Sequence, residues 1–267
     1  MTDIKTKVIL IGIGGASCSG KSTLVKHLSN ILPHSVIIRQ DDFFVPDEFL
    51  PTFQGLYPRN WDVPSAIDWS LMLKILQDVK RTGSIPLDHS NREVLHDAGN
   101  VPIDDNRTIG WKAHFEDLEQ RLLVVANIKV VWVLVDGFML YWNQNITSQL
   151  DICFFLRLPE RILRERRELR NQELRAAQST WTDADGYWDN ICYPEYIRAH
   201  KDLFKDGDVE SGAPREDLVN GLLLIEPEVK ENKNKMDMLD IVEVCLEKIR
   251  SYSALESDRV RDIDFSV

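Results

Sequence analysis

The stretch Gly15-Ala16-Ser17-Cys18-Ser19-Gly20-Lys21-Ser22 decides how the rest of the chain is read. It has the spacing of a phosphate-binding loop: Gly, four residues, then Gly-Lys-Ser. Before it, Lys7-Val8-Ile9-Leu10-Ile11 predicts a buried strand. After it, Ser22-Thr23-Leu24-Val25-Lys26-His27-Leu28 predicts a helix, with Leu24, Leu28 and Ile31 along one face. Strand, glycine-rich loop and helix is the context this motif needs. Glycines let the backbone approach an anion closely, and the loop N–H groups and helix N-terminus point at it. Lys21 adds a positive charge, and the Ser22 hydroxyl is a ligand for Mg²⁺.

Working outward, apolar runs alternate with helical patterns. Strands are expected at 7–13, 35–39, 129–135, 152–158 and 221–225. Helices are expected after Lys21, Pro64, Trp111, Pro159 and Tyr193, and from about Lys235. This predicts an α/β chain of the P-loop NTPase fold, with a mostly parallel sheet of about five strands flanked by helices. Residues 1–252 read as a single domain. Within it, 82–108 is rich in Pro, Gly, Asn and Asp and reads as a long surface excursion. Residues 253–267 read as a loosely held tail.

Composition narrows the function. The formal charge of -11 argues against a broad nucleic-acid surface. There is no 18-residue apolar run, so no membrane span is expected. The first residues lack a signal-like apolar segment. The four cysteines are scattered, without metal-ligand or disulfide spacing, which fits a cytoplasmic setting. The expected partners are small molecules, and the chain is expected as a monomer or weak homo-oligomer.

Two strand ends carry acids. The second strand runs into Gln40-Asp41-Asp42-Phe43-Phe44. Ligands of open α/β sheets sit beyond the carboxyl ends of the strands, so Asp41 should face the phosphate loop and accept a proton from an attacking hydroxyl. A base of ordinary carboxylate pKa is adequate for that task. The run Val130-Val131-Trp132-Val133-Leu134-Val135 ends at Asp136, the expected place for a carboxylate that holds Mg²⁺. The metal residues expected from these positions are Ser22 and Asp136. After Pro159 comes a basic helix. Arg166 and Arg170 share a face, and Arg167 points into a neighbouring sector. Region 160–190 reads as a lid that brings guanidinium groups to a transferring phosphoryl group.

Taken together, Gly15 to Thr23, Gln40 to Phe44, Asn60-Trp61-Asp62-Val63-Pro64, Val135-Asp136-Gly137-Phe138 and Arg164 to Arg170 occur in the order seen in the nicotinamide riboside kinases. Gly186-Tyr187-Trp188-Asp189 and Tyr196 to His200 are also similar to that family, and Leu203 to Gly212 resembles its fungal branch. The resemblance implies ATP-dependent phosphorylation of the ribose 5′-hydroxyl of nicotinamide riboside, with nicotinic acid riboside as a second substrate. It implies that Asp41 and Lys21 are catalytic, and that Asp41 joins Ser22 and Asp136 at the metal. Gly15, Ala16, Ser17, Cys18, Ser19, Gly20, Lys21, Ser22 and Thr23, with Arg166 and Arg170, would hold ATP. Asp41, Asp42, Phe43, Phe44, Trp61, Asp62 and Arg167 would line the nucleoside site. Some relatives carry Tyr at Trp61 and Glu at Asp136; the shorter Asp implies a metal contact through water. Residues 171–185 depart from the shorter relatives, and no contacts are carried over there.

Other readings stay open. A uridine/cytidine kinase of the same fold shares these motifs. A GTPase switch is suggested by Asn234-Lys235-Met236-Asp237 and Asp183-Ala184-Asp185-Gly186, although neither directly follows an apolar strand.

Overall fold

In a computed structural model, residues 4–53, 59–86, 101–179, 182–228 and 235–264 are described. Strand β1 (Lys5–Gly15) leads through the glycine-rich loop into helix α1 (Lys21–Ile31), and β2 (Val36–Arg39) follows. Helices α2 (Trp69–Thr82) and α3 (Asp105–Ala126) precede β3 (Ile128–Gly137). A short helix, α4 (Gln144–Thr147), leads to β4 (Ile152–Leu156) and α5 (Glu160–Ala176). Then come α6 (Tyr193–His200), β5 (Leu223–Ile225) and α7 (Met238–Asp264).

All four strand pairings are parallel, in the order β2-β3-β1-β4-β5. The central strands are apolar at successive positions because both faces are covered. Val130, Trp132 and Leu134 face a core shared with Leu24, Leu28, Phe115, Val242 and Leu246. Val131, Val133 and Val135 face the opposite core, with Met72, Leu76 and Val79. One sheet thus divides two hydrophobic layers, and α1, α3 and α7 lie on the face opposite α2. No helix among the described residues is long and apolar enough to cross a membrane.

Several bounds differ from expectation, for local reasons. Helix α3 starts at Asp105, six residues before Trp111, because Asp104 accepts a hydrogen bond from the Asn106 N–H at 2.9 Å and caps it. Pro64 opens only a short turn, Pro64–Ala66. The long helix α2 waits for Asp68, whose carboxylate accepts from the Leu71 N–H at 2.9 Å. Helix α7 begins at Met238 and runs on to Asp264, through most of the stretch read as a tail. Most of the 82–108 excursion, and Asn234 of the GTPase-like motif, lie outside the described residues.

Strand order sets the site. From β1 the chain moves to one side, to β2 and β3; from β3 it crosses to β4 on the other side of β1. The loop after β1 therefore sits where the order reverses, the usual ligand crevice of open α/β sheets. Register then brings the acids in. Asp136 lies beside Ile13 on β1 and beside Arg39 at the end of β2.

Candidate active site

Backbone shape comes first. Gly15 has φ +135°, and a Cβ there would lie 2.3 Å from the Leu156 carbonyl oxygen. Gly20 precedes α1 at φ +101°. Both positions therefore need glycine. Lys21 is buried under the loop, and its Nζ donates to the Ala16 carbonyl at 2.8 Å. Burial lowers its pKa, while the charges of Asp136 and Asp41 work the other way.

The Ser22 hydroxyl donates to Asp136 Oδ2 at 2.7 Å. One hydroxyl and one buried carboxylate thus meet at the helix start, and Asp41 is close enough to feel the Asp136 charge. Desolvation, then repulsion from Asp136, push the Asp41 carboxyl up to about 6; Lys21 and Arg170 pull it down. Asp41 is exposed at the crevice mouth, so water there moderates the rise. Among the described residues no group of three or more His, Cys, Asp or Glu could hold a metal ion. The hydroxyl and carboxylates present are hard oxygen donors. Such a set suits Mg²⁺, which keeps several waters and binds substrate phosphates.

Helix α5 presents Arg166 and Arg167 to the loop. Arg167 Nη1 donates to Ser17 Oγ at 2.7 Å, and Arg166 Nη1 reaches the Cys18 carbonyl at 3.4 Å. The charge of Arg170 acts on both Lys21 and Asp41.

Beyond the ends of β2 and β3 the chain forms an aromatic wall. Phe44 meets Trp61 edge-to-face at 4.9 Å between ring centroids, and Phe138 lies 6.0 Å from Phe44. Asp62 accepts a hydrogen bond from the Tyr187 hydroxyl at 2.8 Å. Burial raises the Asp62 pKa, opposed by the Arg167 charge and the Tyr187 bond. A narrow cleft beside Asp62 is lined by Ala16, Ser17, Phe138, Trp188 and Tyr196. Phe43 is not on this wall. It is 1% exposed and packs in the core with Ile67 and Met72, so its side chain anchors the segment from beneath. Asp42 is buried as well.

Three fungal proteins are similar to this chain over most of its length. A nicotinamide riboside kinase of Saccharomyces cerevisiae is 33% identical over 209 residues, 76% of this chain and 82% of the relative. One from Eremothecium gossypii is 31% identical over 244 residues, 90% of this chain and 92% of the relative. One from Schizosaccharomyces pombe is 31% identical, covering 76% and 84%. The chain belongs to the nicotinamide riboside kinase family. It matches no protein-family model.

Two features of this kinase escape the sequence reading. Gln40 is fully buried, and its Oε1 accepts from the Met139 N–H at 2.9 Å. That bond ties the exit of β2 to the exit of β3, the segments that carry Asp41 and Asp136. Gly137 leaves room for it, since a Cβ there would lie 2.9 Å from Gln40 Oε1. A glycine directly after the strand-end acid was the available signal. The second is Asp183, which accepts from Arg167 at 2.7 and 2.9 Å. Its engagement with α5 also removes Asp183 from any guanine-nucleotide motif.

Proposed function

We propose that this kinase transfers the γ-phosphoryl group of ATP to the ribose 5′-hydroxyl of nicotinamide riboside. The product is nicotinamide mononucleotide, made in NAD salvage, and nicotinic acid riboside is a second substrate. What supports the reading is the Ser22–Asp136 contact at the start of α1, with Asp41 within electrostatic reach of Asp136 and Lys21, and the cleft that Asp62 and Phe138 share with Ala16 and Ser17 of the phosphate loop. Residues 1–252 act as one kinase domain, because both hydrophobic layers rest on one sheet. The four cysteines are free, which suits a reducing, cytoplasmic setting.

Phosphoryl transfer has a loose transition state, so the protein mainly positions groups and spreads charge. The loop from Gly15 to Thr23 cradles the phosphates with its N–H groups. Ser22 and Asp136 would hold Mg²⁺, with Asp41 nearby. Bound Mg²⁺ neutralises charge on the phosphate oxygens. Lys21 supplies a further positive charge. Helix α5 acts as a lid that brings Arg166 and Arg170 to the ATP side and Arg167 to the nucleoside side. Asp41 aligns the 5′-hydroxyl and takes its proton late. Its raised pKa makes it a better base than an ordinary aspartate while leaving it ionised at neutral pH. Asp62 accepts hydrogen bonds from the ribose diol. Nicotinamide riboside carries a pyridinium cation, which the faces of Trp61 and Phe44 attract. Uridine is neutral and lacks that attraction.

The test supplies Mg-ATP with nicotinamide riboside or uridine and follows monophosphate by mass spectrometry. Nicotinamide mononucleotide should dominate, and Asp41→Ala should lower kcat by about 100- to 10,000-fold. A uridine-dominant result keeps the chemistry and overturns the substrate.

A further inference from the structure

Asp183, with Asn171 and Arg175, makes the contact with the most structure around it. The Arg167 guanidinium is a fork with three engaged corners. Nε and Nη2 donate to the Asp183 carboxylate at 2.7 and 2.9 Å, and Nη1 donates to Ser17 Oγ at 2.7 Å. Asp183 is itself held from behind. Asn171 Nδ2 donates to its Oδ2 at 2.8 Å, and its own N–H donates to Asn171 Oδ1 at 3.2 Å. Arg175 Nη2 donates to the Asp183 carbonyl at 3.2 Å. Exposed ion pairs fix little. Here the side chains are only 16% and 17% exposed, and the pairing is two-pronged, which fixes the plane of the guanidinium. Burial alone would raise the Asp183 pKa; the Arg167 bonds and charge outweigh it and hold the carboxyl below its usual range.

Among the described residues these contacts use three of the five N–H groups of Arg167, leaving two. The guanidinium touches the phosphate loop at Ser17 and feels the charge of the Asp62 carboxylate. We infer that Asp183, braced by Asn171 and Arg175, is a positioning residue that aims the remaining N–H groups of Arg167 at the bound substrates. This rests on the kinase reading above. Asp183 acts through Arg167 and does not touch substrate.

A double-mutant cycle separates this role from packing. It measures kcat/KM for nicotinamide riboside at saturating Mg-ATP in wild type, Asp183→Ala, Arg167→Ala and the double variant. Asp183→Ala should lose up to about 100-fold in the wild-type background, the scale of a misplaced positioning group. In the Arg167→Ala background the same change should cost less than about twofold. Equal losses in both backgrounds overturn the inference, because packing does not depend on Arg167. No loss in the wild-type background also overturns it. Thermal melts follow folding. If the alanine variant does not fold, the same cycle with the near-isosteric Asp183→Asn decides. An active wild type with additive losses overturns this inference alone. A wild type that makes no mononucleotide overturns the kinase reading, and this inference with it.

Discussion

The two halves of the crevice are built differently. On the phosphate side, one continuous run from β1 through the loop into α1 carries Lys21 and Ser22. A neighbouring strand in fixed register delivers Asp136. On the nucleoside side, the wall comes from separate segments. Phe44 follows β2, Trp61 and Asp62 lie in a loop, Phe138 follows β3, and Tyr187 follows α5. Its central hydrogen bond, Tyr187 to Asp62, spans 125 residues of sequence. The difference teaches where each property resides. On the proposed function the sheet fixes the reaction, because strand register cannot drift without turning every side chain to the other face. Loops fix the substrate, because they can change without disturbing the core.

The largest expected effect tests the phosphate side. Asp136→Asn removes a charge from the Ser22–Asp136 pair while keeping its shape. Activity or Mg²⁺ affinity should fall by about 10- to 100-fold, as for other groups that hold or orient a metal. The Mg²⁺ concentration for half-maximal rate should rise, while the melting temperature stays near that of wild type. A loss of melting temperature with an unchanged Mg²⁺ requirement would make Asp136 a structural cap, and the phosphate side would no longer be the chemically fixed half.

A smaller effect concerns pH. In the proposed mechanism Asp41 acts as a base only when ionised, and its carboxyl is pushed up to about 6. The sign follows directly: lowering pH protonates it and removes the base. The rate constant kcat/KM should be flat above about pH 7 and fall roughly tenfold by pH 5. A limb centred near the ordinary aspartate pKa of about 4 would mean that water at the crevice mouth cancels the effect of Asp136.

Legibility in the sequence follows the same division. The five strands were visible because doubly buried strands are continuous apolar runs; β5 shrinks to Leu223–Ile225 because Gly221, at φ +67°, is still in a turn. The phosphate loop was visible because its spacing and flanking elements are contiguous. Phe43 and Phe44 could not be sorted from sequence. Adjacent residues point apart, and only the packing of Ile67 and Met72 decides that Phe43 goes inward. The start of α3 was hidden because the acids and amide of Asp104-Asp105-Asn106 suit a loop and a helix cap equally. The contact between Asp183 and Arg167 was hidden because nothing in a loop sequence says which arginine an acid will meet.

The smallest effect tests the nucleoside side. Trp61 is half-buried, and its ring meets Phe44 edge-to-face. A cation over an aromatic face at such a site contributes about 0.5–1 kcal/mol. Trp61→Leu keeps an apolar side chain but removes the ring, so KM for nicotinamide riboside should rise about two- to fivefold. Uridine offers no cation, so its KM should change less. The ratio between the two nucleosides is therefore the informative quantity. If both KM values rise together while the melting temperature drops, Trp61 acts as packing for Phe44, and substrate choice must then rest on Asp62 and the residues around Tyr187. If only the nicotinamide riboside value rises, a loop aromatic sets the preference for a charged base while the sheet beneath it leaves the chemistry unchanged.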